Sequence, residues 1–290
     1  MLSNIVVASD GSEASDRMIE CVRSLARVGS RRATLIHVFH VRDVGGLYGS
    51  LQKFLLPKLE EQARILRDAG FEVEIETPLG IPFYEIHRVA SQRSADLVVV
   101  GSLGASLAQE VLLGSTAHSV LQNARFPTLL IRLEITRENG GYRCKTICEN
   151  LFRHILFPTD FSDNAEHAFL YLEHIVRETK SQVTLLHVQD ESKIERHLRH
   201  RLEEFNQIDA ERLERMKSRL EQCGAAGVAM EIPYGSPTKM ILERARSSTF
   251  SLIVMGSQGR GIIQEVLMGS VANNVARLAP LPVLFVPAVK

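Results

Sequence analysis

The chain has 290 residues, 45% of them hydrophobic and 6% aromatic, with 34 Lys+Arg set against 34 Asp+Glu. That length favours two domains, and that apolar content builds a core and excludes bulk disorder. A formal charge of zero argues against a protein that coats a nucleic-acid backbone or an anionic membrane, which need a broad positive surface. It leaves room for a small phosphate ligand held by backbone amides.

The first segment, Asn4-Ile-Val-Val-Ala-Ser-Asp10, is a β-rich run that ends on a carboxylate. No basic stretch precedes Asp10, so the start does not read as a secretory signal. Next come Thr34-Leu-Ile-His-Val38, a helical pattern through Leu51, Leu55, Leu59, Ala63 and Leu66, and Gly80-Ile-Pro82. The apolar run at 97–100 leads into Gly101-Ser-Leu-Gly104, with Gly114-Ser115 opening a helical pattern over 116–123 and Phe126-Pro-Thr-Leu-Leu-Ile131 behind it. A polar stretch with Glu138-Asn-Gly-Gly141 then reads as a linker.

Beyond it the same series starts again. His154-Ile-Leu-Phe-Pro-Thr-Asp160 and Thr184-Leu-Leu-His-Val188 lie 150 residues after their counterparts, and Gly235-Ser-Pro237 lies 155 after Gly80. The twenty residues from Gly101 to Val120 match those from Gly256 to Val275 at 11 positions without a gap. A repeat of this length is a whole domain, so the expected division is 1–134, a linker at 135–152, and 153–290. In the second copy, strands are expected at 155–158, 183–188, 228–232, 252–255 and 283–286. The helical spacing of Ile194, Leu198, Leu202, Phe205, Ile208, Leu213, Met216 and Leu220 lies between them.

Strands apolar on both faces and separated by helices indicate a doubly wound parallel α/β sheet. Ligands bind such sheets beyond the carboxyl ends of the strands, where strand order reverses. Asp10 and Asp160 sit at the end of strand one. Each is either a polar contact for a ligand or the cap of the following helix, and the residues alone leave both open. The fourth strand ends in Gly-x-x-Gly followed nine residues later by Gly-Ser, twice: Gly101, Gly104, Gly114 and Ser115, then Gly256, Gly259, Gly269 and Ser270. Glycines let backbone N–H groups approach an anion, and a helix N-terminus after Gly-Ser adds free amides and a positive dipole end.

This constellation resembles the ATP-binding branch of the universal stress protein family, across essentially the whole chain. The resemblance implies five-stranded parallel sheets of order 3-2-1-4-5, the adenine nucleotide alpha hydrolase-like fold. It further implies that Asp10 and Asp160 meet the nucleoside, with Pro158 and Thr159 leading into the second, and that the backbone at Val38 and Val188 bonds the adenine edge. The glycines, Ser115, Ser270 and the adjoining Val271 would hold ribose and phosphates of ATP, or of AMP or ADP, with Mg²⁺.

Arg260 stands inside the second loop, where the first copy has Ala105, so the second site is expected to bind more tightly. Gly-x-x-x-x-Gly-Lys-(Ser/Thr) is absent, and no nucleophile or water-activating base stands out. The expectation is therefore a nucleotide-switched stress-response regulator with a protein partner rather than an enzyme of efficient turnover. A slow ATPase, a nucleotidyl transferase and a scaffold with a degenerate site are the alternatives. His37 and His187 read as packed strand residues. The pairs His197/His200 and Cys144/Cys148 lack the companions of a metal site.

Apolar runs of four residues, such as 97–100 and 252–255, fall far short of the roughly 20 that span a bilayer. With four scattered cysteines (Cys21, Cys144, Cys148, Cys223), the expected location is cytoplasmic. The apolar last strands, 128–133 and 283–286, would be sheet edges and invite pairing of the two domains with each other, or a homodimer.

Overall fold

The computed structural model describes residues 1–42, 47–103, 113–138, 141–146, 150–192, 202–247, 249–259 and 268–288, leaving aside the side chains of 134–146 and 202. The chain divides into two compact units, Met1–Glu149 and Asn150–Lys290.

The first unit runs β1 (Asn4–Ala8), α1 (Glu13–Val22), β2 (Arg32–Ile36), β3 (Phe39–His40), α2 (Tyr48–Asp68), β4 (Glu72–Glu76), β5 (Leu79–Gly80), α3 (Pro82–Gln92), β6 (Leu97–Gly101), α4 (Ser115–Gln122), β7 (Thr128–Ile131), β8 (Leu133–Glu138) and β9 (Gly141–Thr146). The second runs β10 (His154–Pro158), α5 (Asp163–Thr179), β11 (Gln182–Leu186), β12 (Gln189–Asp190), α6 (Leu202–Gln222), β13 (Gly227–Glu231), β14 (Tyr234–Gly235), α7 (Pro237–Ala245), β15 (Leu252–Gly256), α8 (Ser270–Leu278) and β16 (Val283–Val286).

Within the first unit the parallel strands lie in the order β4-β2-β1-β6-β7, and within the second β13-β11-β10-β15-β16. Both are the expected 3-2-1-4-5. The register repeats too: Val6 lies between Thr34 and Val98, and Leu156 between Thr184 and Ile253. The central strands are apolar after their first residues because both faces are covered; Ile5, Val6, Val7, Ile155, Leu156 and Phe157 are fully buried. Of the helix-spaced residues in α2, Leu59, Ala63 and Leu66 face this core, whereas Leu51 at the N-terminal end is exposed. In the second copy Leu213, Met216 and Leu220 do the same on α6; Ile194 and Leu198 lie outside the described residues.

The stretch read as a linker contains the antiparallel pair β8–β9, with Glu138 opposite Gly141. The Asn-Gly that reads as a loop is also the commonest short hairpin signal, and the flanking runs Leu133–Glu138 and Gly141–Thr146 are long enough to pair. Among the described cysteines, Cys21, fully buried on α1, is disulfide-bonded and Cys223 is free. Separation in sequence carries no information on which thiols the fold brings together.

One buried residue makes the fold acid-sensitive. His87 on α3 is 8% exposed, stacks on Phe126 with centroids 6.3 Å apart, and leaves both ring nitrogens without a well-formed hydrogen bond. Burial, aided by the Arg125 charge, pulls its pKa below the ordinary 6.5, against a weaker opposite pull from the Val120 backbone. Above pH 6.5 the ring is neutral whether folded or unfolded. Below it the unfolded chain takes up a proton that the folded ring refuses, so stability falls with pH until the lower folded-state pKa is reached. His87→Phe keeps the ring and removes the orphaned nitrogens. It is expected to stabilise the chain by about 1 kcal/mol and to flatten the loss between pH 6.5 and 5 in urea titrations. An unchanged slope would mean that His37 and His154, shifted the same way, carry the effect.

Candidate functional site

The turn after the first strand settles which group caps the helix. Ser12 is the N-cap of α1, its hydroxyl accepting the Ser15 N–H, and Ser162 caps α5 in the same way through Ala165. Asp10 and Asp160 stand two residues earlier, where their Oδ1 atoms accept the N–H of Ser12 (3.0 Å) and Ser162 (3.1 Å). In the first domain the hydroxyls of Ser12 and Ser15 also donate to Asp10 Oδ1, each at 2.5 Å. The capping alternative is thereby removed for both aspartates. The turn needs a left-handed residue in between. Gly11 supplies it at φ 70°, where any Cβ would also overlap Leu55 from α2. The second copy has Phe161 at φ 57°, its ring 4.5 Å from that of His187.

The second strand's end is arranged identically. Ser9 and Thr159 donate their N–H groups to the Ile36 and Leu186 carbonyls, and their own carbonyls lie 2.9 Å from Nδ1 of His37 and His187. A carbonyl only accepts, so Nδ1 carries the proton in both rings. Burial lowers the His37 pKa, against the Ser9 hydrogen bond and the Asp10 charge. His187 is also 3.3 Å from Asp209 on α6. Both histidines, read from the sequence as strand residues, lie one position beyond the ends of β2 and β11 and are hydrogen-bonded there.

The N–H groups of His37 and Phe39 go to the carbonyls of Glu76 and Pro78, and those of His187 and Gln189 to Glu231 and Pro233. Strand geometry then turns the peptide groups of the residue between, Val38 or Val188, to the opposite side, beyond the end of strand one.

The fourth strand's end contributes the helix caps. Gly114 and Gly269 are the N-caps of α4 and α8, both in extended backbone and neither with a side-chain cap bond. Ser115 and Ser270 are the first helical residues.

In the first domain these pieces enclose a cavity of about 420 Å³. Asp10, Val38, Gly101, Gly114 and Ser115 all line it, with Thr116 and Met18 among the lining residues that the sequence did not single out. Thr116 was legible in principle, as the second residue of a helix whose first was already implicated. Met18, an apolar α1 residue, carried no signal. In the second domain Pro158 ends β10, Gly256 ends β15 and Val271 follows Ser270 on α8. Gly259 sits so close to the strand-one carboxylate that a Cβ there would be 2.8 Å from Asp160 Oδ2. Gly104, Arg260, His197 and His200 lie outside the described residues, as do the side chains of Cys144 and Cys148. No cluster of three metal-ligating side chains occurs among the described residues.

In the first domain the arrangement places a carboxylate and Val38 beside the start of a helix that no side chain caps. Comparison with known proteins agrees with the architecture. A universal stress protein from Archaeoglobus fulgidus has a crystal structure matching 99% of this chain and 99% of its own, with a TM-score of 0.76 at 24% identity. In sequence, universal stress protein MJ0577 of Methanocaldococcus jannaschii is 33% identical over 155 residues, covering 47% of this chain and 95% of that protein. A universal stress protein of Mycolicibacterium smegmatis is 26% identical over 297 residues, covering 97% of this chain and 96% of its own length. The profile of the universal stress protein family matches residues 1–132 and again 151–287. A match that begins afresh in the second half settles ancestry: the chain is a tandem-domain member of the universal stress protein family.

Proposed function

We propose that each domain binds an adenine nucleotide, ATP or its di- or monophosphate, and that the nucleotide sets a conformational state instead of being turned over. The observation that carries this reading is the first-domain cavity, lined by Asp10, Val38 and the uncapped start of α4 together. Asp10 and Asp160 would accept hydrogen bonds from the nucleoside, Val38 and Val188 would offer peptide groups to the adenine edge, and the α4 and α8 amides would hold phosphate. The glycines Gly101, Gly104, Gly256 and Gly259 would allow close backbone approach, and Arg260 would pair with a phosphate oxygen. Mg²⁺ fits as an ion carried mainly on the phosphates, since that cation commonly takes one or two carboxylates and substrate oxygens. By stabilising the form that binds it, the nucleotide would alter contacts with a protein partner in a stress response. Pairing of the two domains along their apolar edge strands β7 and β16, a homodimer and a cytoplasmic location belong to the same reading. No helix among the described residues is long and apolar enough to cross a membrane.

Mass spectrometry of the denatured purified chain tests the binding: an adenine nucleotide is expected, and none, even after incubation with Mg²⁺-ATP, would reject it. ADP release in the same incubation tests the switch. It is expected to match a site variant such as Gly114→Asp/Gly269→Asp. Release well above that level would replace the switch with a slow ATPase or a nucleotidyl transferase.

A further inference from the structure

The glycines that close β6 and β15 are glycines for different reasons. A Cβ on Gly101 would approach Leu133 Cδ1 at 3.1 Å and Met18 Sδ at 3.5 Å. On Gly256 it would lie 2.6 Å from Oδ1 of Asn164. Asn164 stands in the first turn of α5 and is 7% exposed. Its Nδ2 donates to the Val286 carbonyl at the end of β16 (3.1 Å), and its Oδ1 accepts the N–H of Gln258 (2.8 Å). One carboxamide therefore ties a helix start, the edge strand and the beginning of the glycine loop. The next residue along, Gly259, is the one held against Asp160.

Among the described residues the first domain has no such tie. Its equivalent residue is Ala14, which has no polar side-chain atom. Ser102 Oγ there accepts the Leu133 N–H at 3.1 Å, a bond between strand ends. The matching hydroxyl in the second domain, Ser257 Oγ, is buried without a partner among the described residues.

We propose that Asn164 is a positioning residue that preorganises the Gln258–Gly259 backbone at the start of the second domain's glycine loop and makes that domain the tighter of the two nucleotide sites. The inference rests on the nucleotide reading above and adds a cause for unequal sites. Backbone already fixed beside Asp160 loses little conformational freedom on binding.

The test uses the full chain carrying Gly114→Asp, so that calorimetry with Mg²⁺-ATP reads the second domain alone. Adding Asn164→Ala is expected to weaken that affinity about tenfold, the cost of ordering one or two loop residues; unchanged or tighter binding overturns the proposal. Hydrogen exchange without nucleotide tests the tie itself. The Gln258 amide is expected to exchange slowly in the parent and in Asn164→Asp, which keeps the accepting oxygen, and fast in Asn164→Ala. Fast exchange in the parent, or equal exchange in both variants, overturns it. A parent chain that binds no nucleotide while Gln258 stays protected would reject the functional reading and leave the tie standing.

Discussion

Gly114→Asp is expected to abolish nucleotide binding in the first domain while leaving the fold as stable as before, and Gly269→Asp to do the same in the second. Both positions have extended backbone, φ −63° and −68°, that any residue adopts. The nearest atoms to a new Cβ are the Ser102 and Ser257 carbonyl oxygens, at 3.4 and 3.5 Å, so the side chain has room. Aspartate is among the best N-caps and gains a few tenths of a kcal/mol over glycine there. The same carboxylate occupies the place where the helix would receive phosphate. Two unit charges 4 Å apart repel by roughly 4 kcal/mol near a protein surface, or on the order of a thousandfold in affinity. Calorimetric titration with ATP, beside a thermal melt, separates the two effects. As many binding events in Gly114→Asp as in the parent would remove the start of α4 from the site.

Gly256→Ala is expected to cost about 1–3 kcal/mol of stability, the usual range for forcing an atom into a packed site. Its methyl would meet Asn164 Oδ1 at 2.6 Å, Cγ at 3.0 Å and the Asn164 backbone carbon at 3.2 Å, and that side chain is held at both ends of its amide. Gly101→Ala is expected to cost less, since no atom there comes within 3.0 Å: the end of the Leu133 side chain at 3.1 Å can turn aside, and the Leu103 carbonyl oxygen stands at 3.2 Å. Urea unfolding of Gly256→Ala, Asn164→Ala and the double variant forms a thermodynamic cycle. The double variant is expected to lose less than the sum of the singles. Equal losses in Gly101→Ala and Gly256→Ala would contradict the account.

The duplication and the strand order were legible because they are written in local patterns: apolar runs with turn residues between them, repeated at a fixed offset. The strand-end location of the site followed from topology. What the residues could not decide was the division of labour inside Asp10-Gly-Ser12 and Asp160-Phe-Ser162. Aspartate and serine are both good caps, and only the backbone shows that the serines bond the helix. Asn164 was illegible for a related reason. Its partners are the Val286 carbonyl and the Gln258 N–H, 122 and 94 residues away, and main-chain partners leave no mark in a sequence. The β8–β9 hairpin was legible but outweighed by the polarity of the stretch around it.

In the proposed sites Val38 and Val188 would recognise the ligand through peptide groups, and the α4 and α8 caps through amides of residues with little side chain of their own. Truncation experiments are blind to contacts of this kind. An alanine scan of the two sites would return mostly small losses and suggest surfaces with nothing in them. The informative changes are those that add atoms, at Gly114, Gly256 and Gly269, where a few extra heavy atoms displace a ligand or a strand. Two copies of a domain can thus drift apart in side chains, glycine to phenylalanine at residues 11 and 161 included, and still keep the same main-chain turn.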